Sequence, residues 1–251
     1  MPGGISFSAV YYDKSQKRIV RYLKKEADAL SNFLSENRHV AKKSLLLCNE
    51  VNATVPSPFF MPEQKEELFG LTATKNPEER LVHDEMLFDK AVNIFPINEG
   101  VEKLAAANGF KVRSCFTLFY DIVITLFKRD NKHPVVLAGI FNGFFYLFMM
   151  QDSKVFVANS FRYSGINDFL YHILNLYDKY LLDKKQTDMF VIKNYGYDME
   201  ELKAILRTYG IKKLVRLSDI PQDFLSYKLT TLKVPEMYLF YKFLSFEDNR
   251  R

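Results

Sequence analysis

Two apolar runs separated by Asn142-Gly143 constrain this chain more than any other feature of its sequence. Residues 135–141 and 144–150 read as strands, and Asn-Gly is the dipeptide that best tolerates the positive φ values of a two-residue type I′ hairpin. A turn at residues 151–154 leads to a third strand over 155–159, so three consecutive antiparallel strands form a meander. The period then changes. Ile166, Phe169, Leu170, Ile173, Leu176, Tyr177, Tyr180 and Leu181 recur at three and four residues, the stripe of an amphipathic helix.

A short strand at residues 189–192 follows, and Asp198 with Glu201 three residues on makes an Asp form of the capping box. Leu202, Ile205, Leu206 and Tyr209 give that helix its buried stripe, and Gly210 stands where a C-terminal cap belongs. Residues 211–217 are the next strand. Three antiparallel strands continued by crossover units imply a mixed five-stranded sheet with helices packed on it. The tail adds a last helix over 236–244, with Pro235 near its start.

The first half repeats this order less distinctly. Residues 5–12 alternate, with Ile5, Phe7, Ala9 and Tyr11 opposite Ser6 and Ser8, and residues 18–23 return after a polar turn. Ala27, Leu30, Phe33 and Leu34 mark a helix, and residues 44–48 a strand. Residues 49–61 read as irregular, since Pro56 and Pro58 argue against a central strand. Residues 62–69 make a short helix and 81–95 one or two strands. Asn98 caps a helix bearing Val101, Leu104 and Ala105 that ends at Gly109. Residues 111–113 form a strand, and 114–127 are apolar enough to be helix or strand. The shared element order divides the chain into two tandem halves, residues 1–129 and 130–251, with the C-terminal helical tail in the second.

Composition narrows the function classes. With 48% apolar residues, 251 residues are enough for a full core. The net charge of +5 is spread over small clusters such as Lys24-Lys25, Lys42-Lys43, Lys184-Lys185 and Lys212-Lys213, which read as solvated element ends and give no strong nucleic-acid signal. Cys48 and Cys115 each lie in an apolar run, as buried thiols of a reducing compartment do. The opening residues lack the pattern of a signal peptide, and no apolar run is long enough to span a bilayer; both point to the cytoplasm.

Several stretches carry a family resemblance: the opening hairpin GISFSAVYYDKSQKRIVRY (residues 4–22), HDEMLFDKAVNIFP (83–96), the meander LAGIFNGFFYLF (137–148) and NSFRYSGINDFLYHI (159–173). The chain resembles, over essentially its whole length, an uncharacterised Bacteroidetes protein family with an actin-like ATPase fold, α/β, in which two ribonuclease H-like halves with mixed sheets flanked by helices face a cleft. Active members of that superfamily carry an Asp-x-Gly type phosphate loop in each hairpin, whose carboxylate helps hold magnesium and whose amides approach phosphate. This chain departs from the pattern three times. Its first hairpin has only Asp13, at the far end, with Gly3-Gly4 before the strand. Its second, residues 138–143, has glycines without a carboxylate and a turn flanked by Phe141 and Phe144. The adenosine-site glycine pair is missing: after Gly165 only Gly196 and Gly210 remain.

Other chemistry is thinly supported. In a strand, His83 and Glu85 share one face while Asp84 points away with Met86, offering two metal ligands without a third. His39, His133 and His172 are scattered. Asp152 and Asp188 do not make the acidic convergence of a two-metal nuclease. Cys48 reads as an inert thiol rather than a partner of His39 or His83, and Arg162 as a surface arginine rather than an anion contact. No residue is therefore assigned a catalytic or metal-binding role, and no cofactor-binding residue is identified.

Surplus aromatics at Phe59-Phe60, residues 144–146 and residues 238–241 fit either internal packing or a protein partner. The leading reading is a non-catalytic cytoplasmic actin-like scaffold or protein-interaction protein with a degenerate nucleotide site and no cofactor. The alternative is a divergent nucleotide-binding protein or ATPase that takes ATP and magnesium. The sequence fixes no oligomeric state.

Overall fold

The computed structural model describes residues 6–13, 18–26, 43–47, 51–86, 90–127, 133–141, 143–152, 154–194, 198–212 and 214–216. The helices expected over residues 27–34 and 236–244, together with Cys48 and His39, lie outside them. The chain forms two compact units, Met1–Ile122 with Asp219–Arg251, and Val123–Ser218. The boundary between them at Ile122/Val123 falls within one helix.

The first unit opens with β1 (Ser6–Asp13), β2 (Arg18–Glu26) and β3 (Lys43–Leu47). There follow β4 (Ala53–Pro56), two short 3-10 turns (Ser57–Phe59, Pro62–Gln64), α1 (Lys65–Gly70), β5 (Glu79–Glu85) and β6 (Ala91–Asn98). Then come α2 (Glu99–Ala107), β7 (Lys111–Ser114) and α3 (Cys115–Phe127), which settles the apolar stretch as helix. Residues 115–121, 123 and 124 of α3 are all buried, the polar Thr117 and Asp121 among them, so these turns of a largely apolar helix are covered on every side.

One sheet of this unit has the order β2-β1-β3-β7, with β1 antiparallel to both β2 and β3, and β3 parallel to β7. A second, β4-β6-β5, is antiparallel throughout and buries Ala53, Val55, Leu81 and Ile94 with Phe69 of α1. The irregular reading of residues 49–61 is thus corrected at Ala53–Pro56. Among the described residues this strand pairs with β6 alone, and it ends at its proline, where a missing N–H breaks no ladder. Pro96 is tolerated in the middle strand for a related reason: it lies beyond Ala91–Ile94, the stretch of β6 that β4 pairs.

The second unit contains β8 (Val135–Ile140), β9 (Phe144–Gln151), β10 (Lys154–Arg162), α4 (Ile166–Lys179), β11 (Asp188–Asn194), α5 (Met199–Thr208) and β12 (Leu214–Arg216). Its sheet has the order β10-β9-β8-β11-β12, antiparallel from β10 to β8 and parallel from β8 to β12, as the sequence implies. Gly143 takes φ +80° at the tight turn between β8 and β9. β8 is buried on both faces and β9 nearly so, whereas β10, with strand pairing on one side, is exposed at intervals along its length. β10 is longer than expected, reaching Arg162. Ile211 and Lys212 are not part of β12, because Ile211 is used to end α5.

Three helices end in one way. Phe110 N donates to Ala105 O, Leu182 N to Tyr177 O and Ile211 N to Leu206 O, each bond closing a Schellman motif whose last residue is buried. The left-handed position is Gly109 (φ +73°) after α2 and Gly210 (φ +87°) after α5, but Leu181 (φ +52°) after α4. This reversal corrects two expectations. Leu181 and Tyr209 continue the apolar period of their helices in sequence, yet they are 90% and 46% exposed, because each helix has ended and the residue past the reversal turns inward instead.

A left-handed non-glycine residue costs ~1–2 kcal/mol, and glycine loses back ~0.4–1 kcal/mol in unfolded-chain entropy. Leu181→Gly is therefore expected to stabilise the protein by about 0.5–1 kcal/mol, measured by urea unfolding. A destabilised variant would show that the exposed side chain holds the loop.

Candidate functional site

The turn where a phosphate loop would stand in the second unit is flanked by packed rings, with Gly143 at its tip exposed. Phe141 and Phe144 stack with ring centroids 4.9 Å apart, and Tyr146 lies against them at 5.0 and 5.5 Å. All three are buried. The backbone is engaged as well: Phe141 N donates to Phe144 O (2.8 Å) and Tyr163 N to Gly143 O (3.0 Å). The Tyr163 hydroxyl donates to Phe141 O at 2.6 Å. A phosphate cradle needs close, outward-facing amides and a metal or basic group opposite the charge. Here rings pack on both sides of the turn, and residues 138–144 supply no carboxylate.

In the first unit Asp13 is the last residue of β1, opposite Arg18, and the turn that follows lies outside the described residues. Gly210 is accounted for as the cap of α5, and Gly196 is outside the described residues.

The polar centre of the first unit was not evident in the sequence as a unit. Only its Asp84 was singled out. Asp84 Oδ2 accepts Ser114 N at 2.7 Å, and Ser114 Oγ in turn accepts Phe116 N (3.1 Å), capping the head of α3. Ser114 Oγ also donates to Asn52 Oδ1 (3.2 Å), which receives Asn93 Nδ2 at 3.3 Å, and Asn93 Nδ2 reaches Thr117 Oγ1 at 3.0 Å. Asp84, Asn52, Asn93, Ser114 and Thr117 are all buried. Burial pushes the Asp84 carboxyl above its ordinary range, opposed by the Ser114 amide, the Arg113 charge, the Thr117 hydroxyl and Lys111. The network ties β5, β6 and the segment before β4 to the start of α3. Chemically it is an acceptor set that fixes a helix terminus.

The alternation expected of His83-Asp84-Glu85 holds: His83 and Glu85 are exposed, while Asp84 and Met86 are buried. His83 packs on Phe60 with centroids 4.8 Å apart. Among the described residues no group of three or more His, Cys, Asp or Glu is placed to hold a metal ion. Cys115 is a buried thiol outside any disulfide, His133 is exposed, and Arg162 is exposed at the end of β10. Asp152 stands in the β9–β10 turn with φ +49°, and Asp188 opens β11.

His172 of α4 packs against Phe161 (4.3 Å) and the edge of Phe145 (5.8 Å). Partial burial lowers its pKa below the ordinary value, and the Asp168 charge partly restores it. The aromatic runs divide: residues 144–146 are core, Phe60 is half-buried, Phe59 is 70% exposed, and residues 238–241 lie outside the described set.

The family described as "Protein of unknown function (DUF3822)" matches residues 4–210. The chain belongs to this family. No curated protein matches a DUF3822 chain of this sequence significantly. Among solved structures, a protein from Bacteroides thetaiotaomicron with an actin-like ATPase fold and unknown function is 15% identical, covering 95% of this chain and 91% of its own, with a TM-score of 0.73. A PilM-PilN type IV pilus biogenesis complex contains a chain that is 11% identical, with 97% of each chain covered and a TM-score of 0.52. These likenesses give this DUF3822 member the actin-like ATPase fold, in agreement with the resemblance read from its sequence. No helix of the described residues is long and apolar enough to cross a membrane.

Proposed function

We propose that this DUF3822 protein is a non-catalytic cytoplasmic scaffold that acts by contacting other proteins, on a duplicated ribonuclease H-like frame whose nucleotide site has degenerated. The observation that carries this reading is the turn at residues 141–144, whose flanks are committed to stacked rings and internal hydrogen bonds and which has no carboxylate where a phosphate loop would carry one. The likeness to a chain of the PilM-PilN complex supports a protein partner, since that fold serves there in a protein assembly. The exposed Phe59 and Met61, flanked by Pro58 and Pro62, add apolar surface of the kind that protein contacts use.

The rival, a divergent nucleotide-binding protein or ATPase, has the fold in its favour, but fold alone does not supply a site.

Thermal unfolding with ATP, ADP and magnesium, against tripolyphosphate as a polyanion control, separates the two. A ligand bound only to the native state stabilises it by about 2.7 kcal/mol at a hundred times its Kd. The expected result is no nucleotide-specific change in Tm at millimolar concentration. A saturable, nucleotide-specific rise would overturn the proposal and call for hydrolysis assays.

A further inference from the structure

The pair Lys184-Lys185 and the sequence-distant Lys212 meet at one end of the second unit. Lys184 and Lys185 lie in the loop between α4 and β11, and Lys212 lies in the loop between α5 and β12. Because β11 and β12 are parallel, with Met189 opposite Leu214, both loops join the sheet at the same end. Lys212 N donates to Lys184 O at 3.4 Å, and a Cβ on Gly210 would lie 3.8 Å from the Lys184 side chain.

Lys179 and Arg207, in the last turns of α4 and α5, reach this end too. Those two complement the helix dipoles. Lys185 and Lys212 lie beyond the helix ends, are exposed, and have no such task. The carboxylates at this end are Asp178 in the last turn of α4, 3.7 Å from Lys184 Nζ, Asp183, which accepts Lys185 N at 2.8 Å, and Asp188, which opens β11. Among the described residues five cationic side chains are thus set against three carboxylates.

Leu181 lies among them, 90% exposed and in the left-handed conformation that glycine takes at the same position after α2 and α5. It is unfavourable both in backbone geometry and in exposure to water. The buried Leu182 just beyond holds it in that conformation, and strained positions of this kind gather at ligand clamps and functional contacts. Tyr209, on the neighbouring loop, is 46% exposed.

We propose that this loop pair is a docking surface for an acidic protein segment, with Leu181 as the apolar anchor and Lys184, Lys185 and Lys212 as the charged rim. The proposal rests on the protein-contact reading above and gives that contact a place. One leucine with these few cations is a poor membrane anchor, which takes a lipid chain or a larger amphipathic face besides the basic patch. Single-stranded nucleic acid would ask for a row of stacking rings, where the described loop residues present Tyr209 and the partly buried Tyr180.

The test uses the full chain and a labelled peptide of glutamates interrupted by leucines, followed by fluorescence anisotropy at low and physiological salt. Saturable binding that weakens with salt is expected. The combined change Lys184→Glu, Lys185→Glu, Lys212→Glu should weaken it at least ~10-fold, as charge reversal at a complementary rim does. Leu181→Gly should weaken it several-fold while unfolding at the same or higher urea concentration, a pairing that a purely structural leucine would not give.

The proposal is overturned if the unmodified chain does not bind the peptide, if either variant binds it as tightly as the parent, or if phosphatidylserine vesicles or a DNA oligonucleotide bind more tightly. Undiminished peptide binding by the charge-reversed variant removes this surface and leaves a protein-contact role intact. A nucleotide-specific thermal shift removes that role instead.

Discussion

Phe145→Ala is expected to destabilise the second unit by about 3–5 kcal/mol, the range for removing a fully buried phenylalanine. Phe145 is 0% exposed. Its ring is bordered by Phe169 at 4.9 Å, Phe161 at 5.4 Å, His172 at 5.8 Å and Tyr163 at 6.0 Å. These rings come from β10, α4 and the segment between them, so the cavity would open where sheet and helix are held together and could not collapse without moving one of them. At roughly 2–4 °C per kcal/mol for a chain of this size, the melting transition should fall by roughly 6–20 °C. Phe145→Leu, which fills most of the volume, should cost under about 1.5 kcal/mol. A loss below about 1 kcal/mol for the alanine variant would mean that the aromatic cluster is not the joint described here.

The second large effect is expected at Asp84. Asp84→Ala removes the acceptor for Ser114 N, in a place where neither residue reaches water, and an orphaned buried donor costs about 1–3 kcal/mol before any cavity is counted. Asp84→Asn keeps an oxygen for that amide and should cost much less at neutral pH.

The pair also isolates the charge. Burial raises the folded pKa of Asp84 above 3.8, so the native state holds the proton more tightly than the unfolded chain does. Its favourable contribution is complete below pH 3.8 and is lost as pH rises through the folded value. The stability of the parent relative to Asp84→Asn should therefore decline with rising pH across that window. Urea unfolding of parent and both variants at a series of pH values measures this. A constant or rising difference would show that hydrogen bonds and nearby cations outweigh burial.

The second unit was legible because its punctuation is local. Asn142-Gly143, Asp198 and Gly210 each fix a turn or a cap by their own chemistry, and the sheet order follows from what lies between them. Leu181 and Tyr209 mark where local reading stops. Periodicity carries on to each of them past the ends of α4 and α5, but a helix ends by backbone reversal, and without glycine at position 181 nothing in the sequence announces the first of these ends.

β4 was hidden by its prolines, which exclude a central strand and permit an edge. The polar network around Asp84 was the least legible part, since Asn52, Asn93, Ser114 and Thr117 are ordinary surface residues by type. Only the pairing of strands remote in sequence makes them a buried set.

The two larger sheets carry a further consequence. Taken across the sheet, β2-β1-β3-β7 and β10-β9-β8-β11 have the same succession of directions: antiparallel, antiparallel, parallel. Along the chain they do not agree, because the place held by β8, first in its unit, is held by β3, third in its own. Aligning the chain to itself in residue order would set β1 against β8 and lose the correspondence. If the two sheets descend from one ancestral copy, strands have exchanged places since the duplication, and the kinship would survive in three dimensions after every trace of it had left the one-dimensional record.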